Sequence, residues 1–166
     1  MIHFNSEFLG IAHSARTDKL QQGLLRGRLF GGLAILARKS VIKGMYKYSV
    51  DSQNRALAVV VQLVSGVNLL IINVYLPCST NSDEYMTSLL EIYSFIDNCI
   101  ECCSYDEVIV LGDFNFECDV SVPAYKLLVK VLDEHNLICC EKYANTPIEF
   151  TYFQDTLHRY TLIGER

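Results

Sequence analysis

The sequence predicts a layered α/β fold, a sandwich of β-sheets flanked by helices, and three observations predict it. Two β-branched runs meet at a short glycine turn, the apolar spacing changes to steps of three or four after Pro77, and another short apolar run precedes a second helical stretch. The order hairpin, helix, strand, helix is mixed, which disfavours a purely parallel doubly wound sheet. At 166 residues, 51% hydrophobic and 20% charged, the chain suits one domain over 1–166 whose core needs no disulfides.

Each element has its own signal. Leu33-Ala34-Ile35-Leu36-Ala37, opening after Gly31-Gly32 and closing at Arg38-Lys39, reads as a strand. Ala56 to Val64, the turn Ser65-Gly66, and Val67 to Tyr75 read as a hairpin buried on both faces, and Pro77 stops the second strand because it lacks a ladder donor. Met86, Leu89, Leu90, Tyr93, Ile96 and Ile100 form one helical stripe, preceded by Asn81-Ser82-Asp83-Glu84, whose acids suit a helix N-terminus. Val108 to Leu111 reads as a short buried strand ending at Gly112. A second helix carries Pro123 in its first turn and Leu128, Val131 and Leu132 on one face. Leu137-Ile138 and Phe150-Thr151-Tyr152-Phe153 are weaker strand candidates.

Charge and cysteine usage narrow the function classes. Fourteen basic against nineteen acidic residues give a formal charge of −5, which argues against a protein that coats nucleic acid, although a local basic groove is compatible with it. Arg16, Lys19, Arg26, Arg28, Arg38, Lys39, Lys43 and Lys47 all fall in the first third, either as a DNA-facing surface or as a solvated basic face. The seven cysteines are odd in number and sit in apolar or helical stretches, so reduced thiols in an intracellular protein, nuclear or cytoplasmic and not secreted, are expected. No signal peptide and no apolar run of membrane-spanning length is visible, and nothing suggests a membrane partner or a haem or nucleotide cofactor.

The sharpest local motif is Leu111-Gly112-Asp113-Phe114-Asn115, where a strand gives way to a loop. Strand ends in α/β sheets face crevices where ligands bind. If strand geometry persists, Asp113 and Asn115 project to one side, an acceptor and an amide donor able to orient a water against a phosphate. The alternative is that both simply make turn hydrogen bonds with their own backbone. A calcium loop starting at Asp113 lacks the required glycine at Cys118 and the bidentate acid at Ala124. Asn73 and Tyr75, two apart at the end of the preceding strand, offer a substrate-facing amide and a phenol that donates to phosphate, or an aromatic that closes the core. Cys99-x-x-Cys102 lacks the second half of a zinc site and falls inside the expected helix.

These segments together resemble a known family. Gly27-Arg28-Leu29-Phe30-Gly31-Gly32-Leu33-Ala34-Ile35, then Ile72-Asn73-Val74-Tyr75-Leu76-Pro77, then Leu111-Gly112-Asp113-Phe114-Asn115 look like the endonuclease/exonuclease/phosphatase superfamily, and more narrowly the endonuclease domains of non-LTR (LINE-type) retrotransposons. The resemblance runs from about Phe8 to Tyr160. It implies two mixed β-sheets covered by helices, Mg²⁺- or Mn²⁺-dependent phosphodiester hydrolysis, and DNA as partner. Asp113 would position or deprotonate the attacking water and touch the metal, Asn115 and Tyr75 would contact the scissile phosphate, and Asn73 and Arg28 would face the substrate.

The departures from the family set further expectations. The family's first metal-binding Asn and its metal-ligating Glu precede the Gly-rich segment, whereas Phe8 to Ala15 here already resemble the family's stretch downstream of that Glu; Asn5 and Glu7 are the nearest substitutes. Thr156-Leu157-His158-Arg159-Tyr160 places Arg159 where the family has an Asp, and the final Asp-His pair has only His158 as a stand-in. A domain truncated at both ends is therefore expected, with weak or no cleavage, since Mg²⁺ leans on its carboxylates. An uncovered sheet edge would also favour poor solubility. The competing class is a non-catalytic binding or structural module.

Overall fold

A computed structural model describes residues 6–14, 32–76, 83–115, 122–139, 152–154 and 159–161. The Cα trace falls into two compact units, Met1–Tyr75 with Asn98–Leu111, and Leu76–Asp97 with Gly112–Arg166.

The first unit is a two-sheet sandwich. Strands β1 (Phe8–His13) and β2 (Leu33–Arg38) form an antiparallel pair, Phe8 opposite Arg38 and His13 opposite Leu33. The second sheet has the order β3 (Ile42–Val50), β4 (Ala56–Leu63), β5 (Asn68–Tyr75), β6 (Glu107–Asp113). Pairs β3–β4 and β4–β5 are antiparallel. Strands β5 and β6 run parallel, because Asp106 N–H donates to Asn68 O (2.8 Å) at their starts and Leu76 N–H to Asp113 O (2.8 Å) at their ends. The expected mixed sheet is thus present.

Strict alternation sorts β4 and β5. Leu57, Val59 and Val61 face β1 and β2, where Leu9, Ile11, Leu33, Ile35 and Ala37 meet them to form the inter-sheet core. Ala56, Ala58, Val60, Leu70, Ile72 and Val74 occupy the opposite faces and are also buried. Strand β4 is therefore hidden on both sides, as its unbroken apolar run implies, whereas β5 alternates half-buried and buried residues. The turn between them carries Gly66 at φ +98°, a left-handed position that closes a three-residue loop, with Leu63 N–H on Val67 O at 2.8 Å.

Strand β3 had no clear signal in the sequence. Its register slips between Ile42 and Gly44 and again between Tyr46 and Tyr48, leaving Lys43 and Lys47 as bulge residues, so period two never lasts long enough to be read. Lysines and bulges on an outer strand also discourage pairing with other chains. The β3–β4 turn closes on Asp51, a buried carboxylate that accepts from the N–H groups of Gln53 (2.9 Å), Arg55 (2.5 Å) and Ala56 (2.5 Å).

Helix α1 (Asp83–Cys102) buries Tyr85, Leu89, Ile92, Tyr93, Ile96, Cys99 and Ile100, a stripe turned slightly from the expected one, with Leu90 left 53% exposed. Lys47 reaches from its bulge to donate to Cys102 O at 2.9 Å, capping a helix end whose last turn has no basic residue of its own. Within the second unit, helix α2 (Pro123–Glu134) begins with proline in its first turn, and Tyr93 Oη donates to Ala124 O at 3.2 Å, joining the two helices. Strands β7 (Tyr152–Gln154) and β8 (Arg159–Thr161) pair antiparallel.

Two expectations are corrected. Leu137-Ile138 is not a strand: Leu137 N–H returns to Leu132 O (2.8 Å) past Asn136 at φ +53°, so this segment closes α2 in a Schellman turn. Strand β6 is not hidden either. Ile109 and Leu111 are 46% and 42% exposed, because among the described residues β6 is the outer strand of its sheet. Arg28, Pro77, His158 and residues 116–121 lie outside the described residues. No described helix is long and apolar enough to cross a membrane.

Candidate phosphate-handling site

Asp113 ends β6 and Gly112, at φ +142°, lets the chain leave the sheet. Strand geometry does not continue to Asn115, which sits at φ +52°, a left-handed conformation that asparagine tolerates better than most residues. The two side chains are therefore not brought together by the two-residue period expected from sequence. They are joined by an Asx turn, in which Asn115 N–H donates to Asp113 Oδ1 at 3.2 Å. Asn115 Nδ2 in turn donates to Leu76 O at 2.8 Å, while Leu76 N–H donates to Asp113 O at 2.8 Å. Leu76 is fully buried, so the Asp113-Asn115 turn is fixed to a rigid point. The turn reading and the site reading turn out to be compatible: local bonds hold the carboxylate and the carboxamide in one orientation.

The end of β5 lies in the first unit. Asn73, Tyr75 and Ile71 share the face of β5 that looks toward β2, and Asn73 Nδ2 donates to Ala34 O at 3.2 Å, so this amide links the two sheets. Tyr75 N–H extends the ladder to Arg55 O at 2.7 Å, which sets Tyr75 directly opposite Arg55. Arg55 was not among the residues singled out from sequence. It comes after a turn, and only the β4–β5 register, which pairs Ala56 with Val74, places it beside the phenol.

Other candidates take different places. Glu7 precedes β1 at the end opposite His13, and six strand residues at about 3.3 Å each put roughly 20 Å between those ends. It lines a shallow cleft of about 320 Å³ with Arg38, Lys39 and Ser40, away from the end of β5. Of the basic residues, Arg38 lies 5.5 Å from the centroid of the Phe8 ring and Lys47 caps α1, so both have structural tasks. Cys99, Cys102, Cys103 and Cys139 are free thiols. Among the described residues no three His, Cys, Asp or Glu side chains come together as a metal cluster. The hard oxygens of Asp113 and Asn115 suit Mg²⁺ or Mn²⁺, which one or two carboxylates hold with waters and substrate oxygens completing the shell.

The fold has solved counterparts. The human Nocturnin catalytic domain with bound sulfate matches with a TM-score of 0.64 and 18% identity over 94% of this chain and 58% of that one. Humanized D. rerio TDP2 matches with a TM-score of 0.46 and 21% identity over 74% of this chain and 44% of its own. ANGEL2, a 2′,3′-cyclic phosphatase, matches with a TM-score of 0.48 and 15% identity over 77% and 44%. The likeness to the Nocturnin domain shows that the two chains share a fold. This chain spans 58% of the length of that domain. No protein-family model matches the chain, and no curated protein does.

Proposed function

We propose that the chain carries a divalent-metal-dependent site for phosphodiester hydrolysis, acting on DNA and of the kind found in non-LTR retrotransposon endonucleases. The observation that carries this reading is the Asp113–Asn115 turn at the end of β6, tied through Asn115 to the carbonyl of Leu76, the residue next after Tyr75. Support comes also from the shared fold and from the order of the three sequence motifs.

The roles rest on donor and acceptor chemistry. The Asp113 carboxylate accepts a proton from a water and aligns its lone pair on phosphorus, and it is the described carboxylate that would hold the ion. When bound, Mg²⁺ or Mn²⁺ supplies positive charge to the phosphoryl oxygens. Asn115 and Tyr75 donate hydrogen bonds to those oxygens as charge builds on them. Asn73, engaged with Ala34, steadies the strand end, and Arg28 is assigned to the substrate by family resemblance alone. Since no three-ligand cluster forms among the described residues, the ion is expected to bind weakly and turnover to be slow.

The test is nicking of supercoiled plasmid in Mg²⁺ or Mn²⁺, with Asp113→Ala as control. Metal-dependent nicking that vanishes in the variant supports the reading. Activity that survives Asp113→Ala, or no activity with either ion across millimolar concentrations, overturns it. The lack of a three-ligand cluster among the described residues favours a second reading, a non-catalytic nucleic-acid-binding module, and binding without cleavage would select it.

A further inference from the structure

We infer that Arg55 and His13 form an anion-binding subsite at the inner end of the first unit's sandwich, suited to a phosphate group of a nucleic-acid backbone. The choice of a nucleic-acid phosphate rests on the function proposed above; the anion-binding chemistry does not.

Two atoms mark the subsite. Arg55 Nη1 and His13 Nδ1 are buried side-chain nitrogens without a hydrogen-bond partner among the described residues. Leaving a buried donor unpaired costs about 1–3 kcal/mol, and more when it is charged, so proteins seldom keep such groups without a use for them.

Register places both at one end and on facing surfaces. His13 continues the row Leu9, Ile11 on β1, the row that packs into the inter-sheet core. Arg55 continues the row Leu57, Val59, Val61 on the opposing sheet, which packs into the same core. His13 lies opposite Leu33, and the neighbouring Ala34 carbonyl takes the Asn73 amide. Arg55 lies opposite Tyr75. The core is apolar along the rows and turns polar at this end, with a guanidinium, an imidazole, an amide and a phenol.

The chemistry selects an oxyanion. Arginine stays charged at any physiological pH and offers a planar fork that matches phosphate, and an imidazole whose Nδ1 carries a proton adds a further donor. No described residue accepts a hydrogen bond from Arg55 Nη1, which leaves that nitrogen for a ligand. Tyr75 stands opposite Arg55 in the same sheet, so its phenol adds a further donor for the phosphate at this end.

The test uses the full chain without metal, titrated with a fluorescein-labelled single-stranded 12-mer DNA by anisotropy, with inorganic phosphate as competitor. Arg55→Met is expected to weaken binding about tenfold or more and His13→Gln several-fold, as for loss of charge-assisted hydrogen bonds, with Arg55→Lys intermediate. Millimolar phosphate is expected to displace the oligonucleotide from wild type and less so from Arg55→Met. If Arg55→Met fails to melt cooperatively, Arg55→Lys and His13→Gln carry the test. Binding within twofold of wild type in the folded variants, or no competition by phosphate, overturns the subsite and shows that water satisfies these nitrogens. Loss of hydrolysis in Asp113→Ala with unchanged binding in Arg55→Met refutes the subsite alone. Arg55-dependent binding without any hydrolysis refutes the enzymatic reading alone.

Discussion

Asn115 Nδ2 donates to the carbonyl of Leu76, 39 residues earlier in the chain, at 2.8 Å, and this bond joins the exits of two neighbouring strands. The left-handed φ of +52° at Asn115 means that each substitution tests a different part of the arrangement. Asn115→Gly keeps the backbone relaxed and loses the bond. Asn115→Ala loses the bond and adds left-handed strain, for a total of about 1–3 kcal/mol. Asn115→Asp sets a carboxylate oxygen against the Leu76 carbonyl and is expected to be the least stable at neutral pH. Urea denaturation of the three variants checks that order, and equal stability of Asn115→Gly and Asn115→Ala would refute the backbone part of it.

Asp51 governs the β3–β4 turn in the same way. Its carboxylate accepts from three backbone N–H groups while buried, so Asp51→Ala strands three donors at once. A loss of about 2–4 kcal/mol is expected, near the upper end for polar substitutions. Asp51→Asn retains one acceptor oxygen but turns an NH₂ toward a donor, and falls between. Thermal melting by far-UV circular dichroism measures both, and a shift of only a degree or two for Asp51→Ala would show the turn to be held elsewhere.

How far the sequence reached depends on whether a signal was local. The β4–β5 hairpin, the α1 span and the Pro123 start were legible because apolar runs, helical spacing and a missing N–H act within a few residues. Strand β3 was illegible because bulges at Lys43 and Lys47 break its period, and the exposure of β6 depends on which strand neighbours it. At the candidate site the motif Gly112-Asp113-Phe114-Asn115 was visible, but not the left-handed turn that joins its polar members. Arg55 carried no local signal at all, since its relation to Tyr75 exists only in the register of two strands.

Tyr93 predicts a response to alkaline pH. Burial, reinforced by the neighbouring Tyr85, raises its phenol above the ordinary value of 10.0. Below that pH the phenol is neutral in both folded and unfolded chains and adds no slope. Above it the unfolded chain releases this proton and the folded chain keeps it, so stability falls as pH rises. Tyr93→Phe is expected to cost about 0.5–1.5 kcal/mol at pH 7 through the lost bond to Ala124 O, and to decline less steeply above pH 10. Denaturation midpoints across pH 8–11 test this, and parallel declines in variant and wild type would refute it.

Thiol reactivity should separate two cysteines three residues apart on α1. Cys99 is 3% exposed, and burial, with smaller contributions from Cys103 and Cys102 against an opposing one from Lys47, pushes its thiol up to about 11 from an ordinary 9.0. At pH 8 the reactive thiolate is then roughly one part in a thousand, and the little that forms is shielded. Cys102 is exposed near the helix end, its thiol directed to Asn98 Oδ1 at 3.2 Å. Iodoacetamide at pH 8, read by peptide mass spectrometry, should therefore modify Cys102 within minutes and leave Cys99 intact until urea opens the fold. Cys99→Ala would remove a buried side chain of α1's inner stripe and lower stability by about 1 kcal/mol, whereas Cys102→Ala would be close to neutral. Equal labelling rates for the two thiols in the folded chain would mean that α1 does not present this stripe to the core.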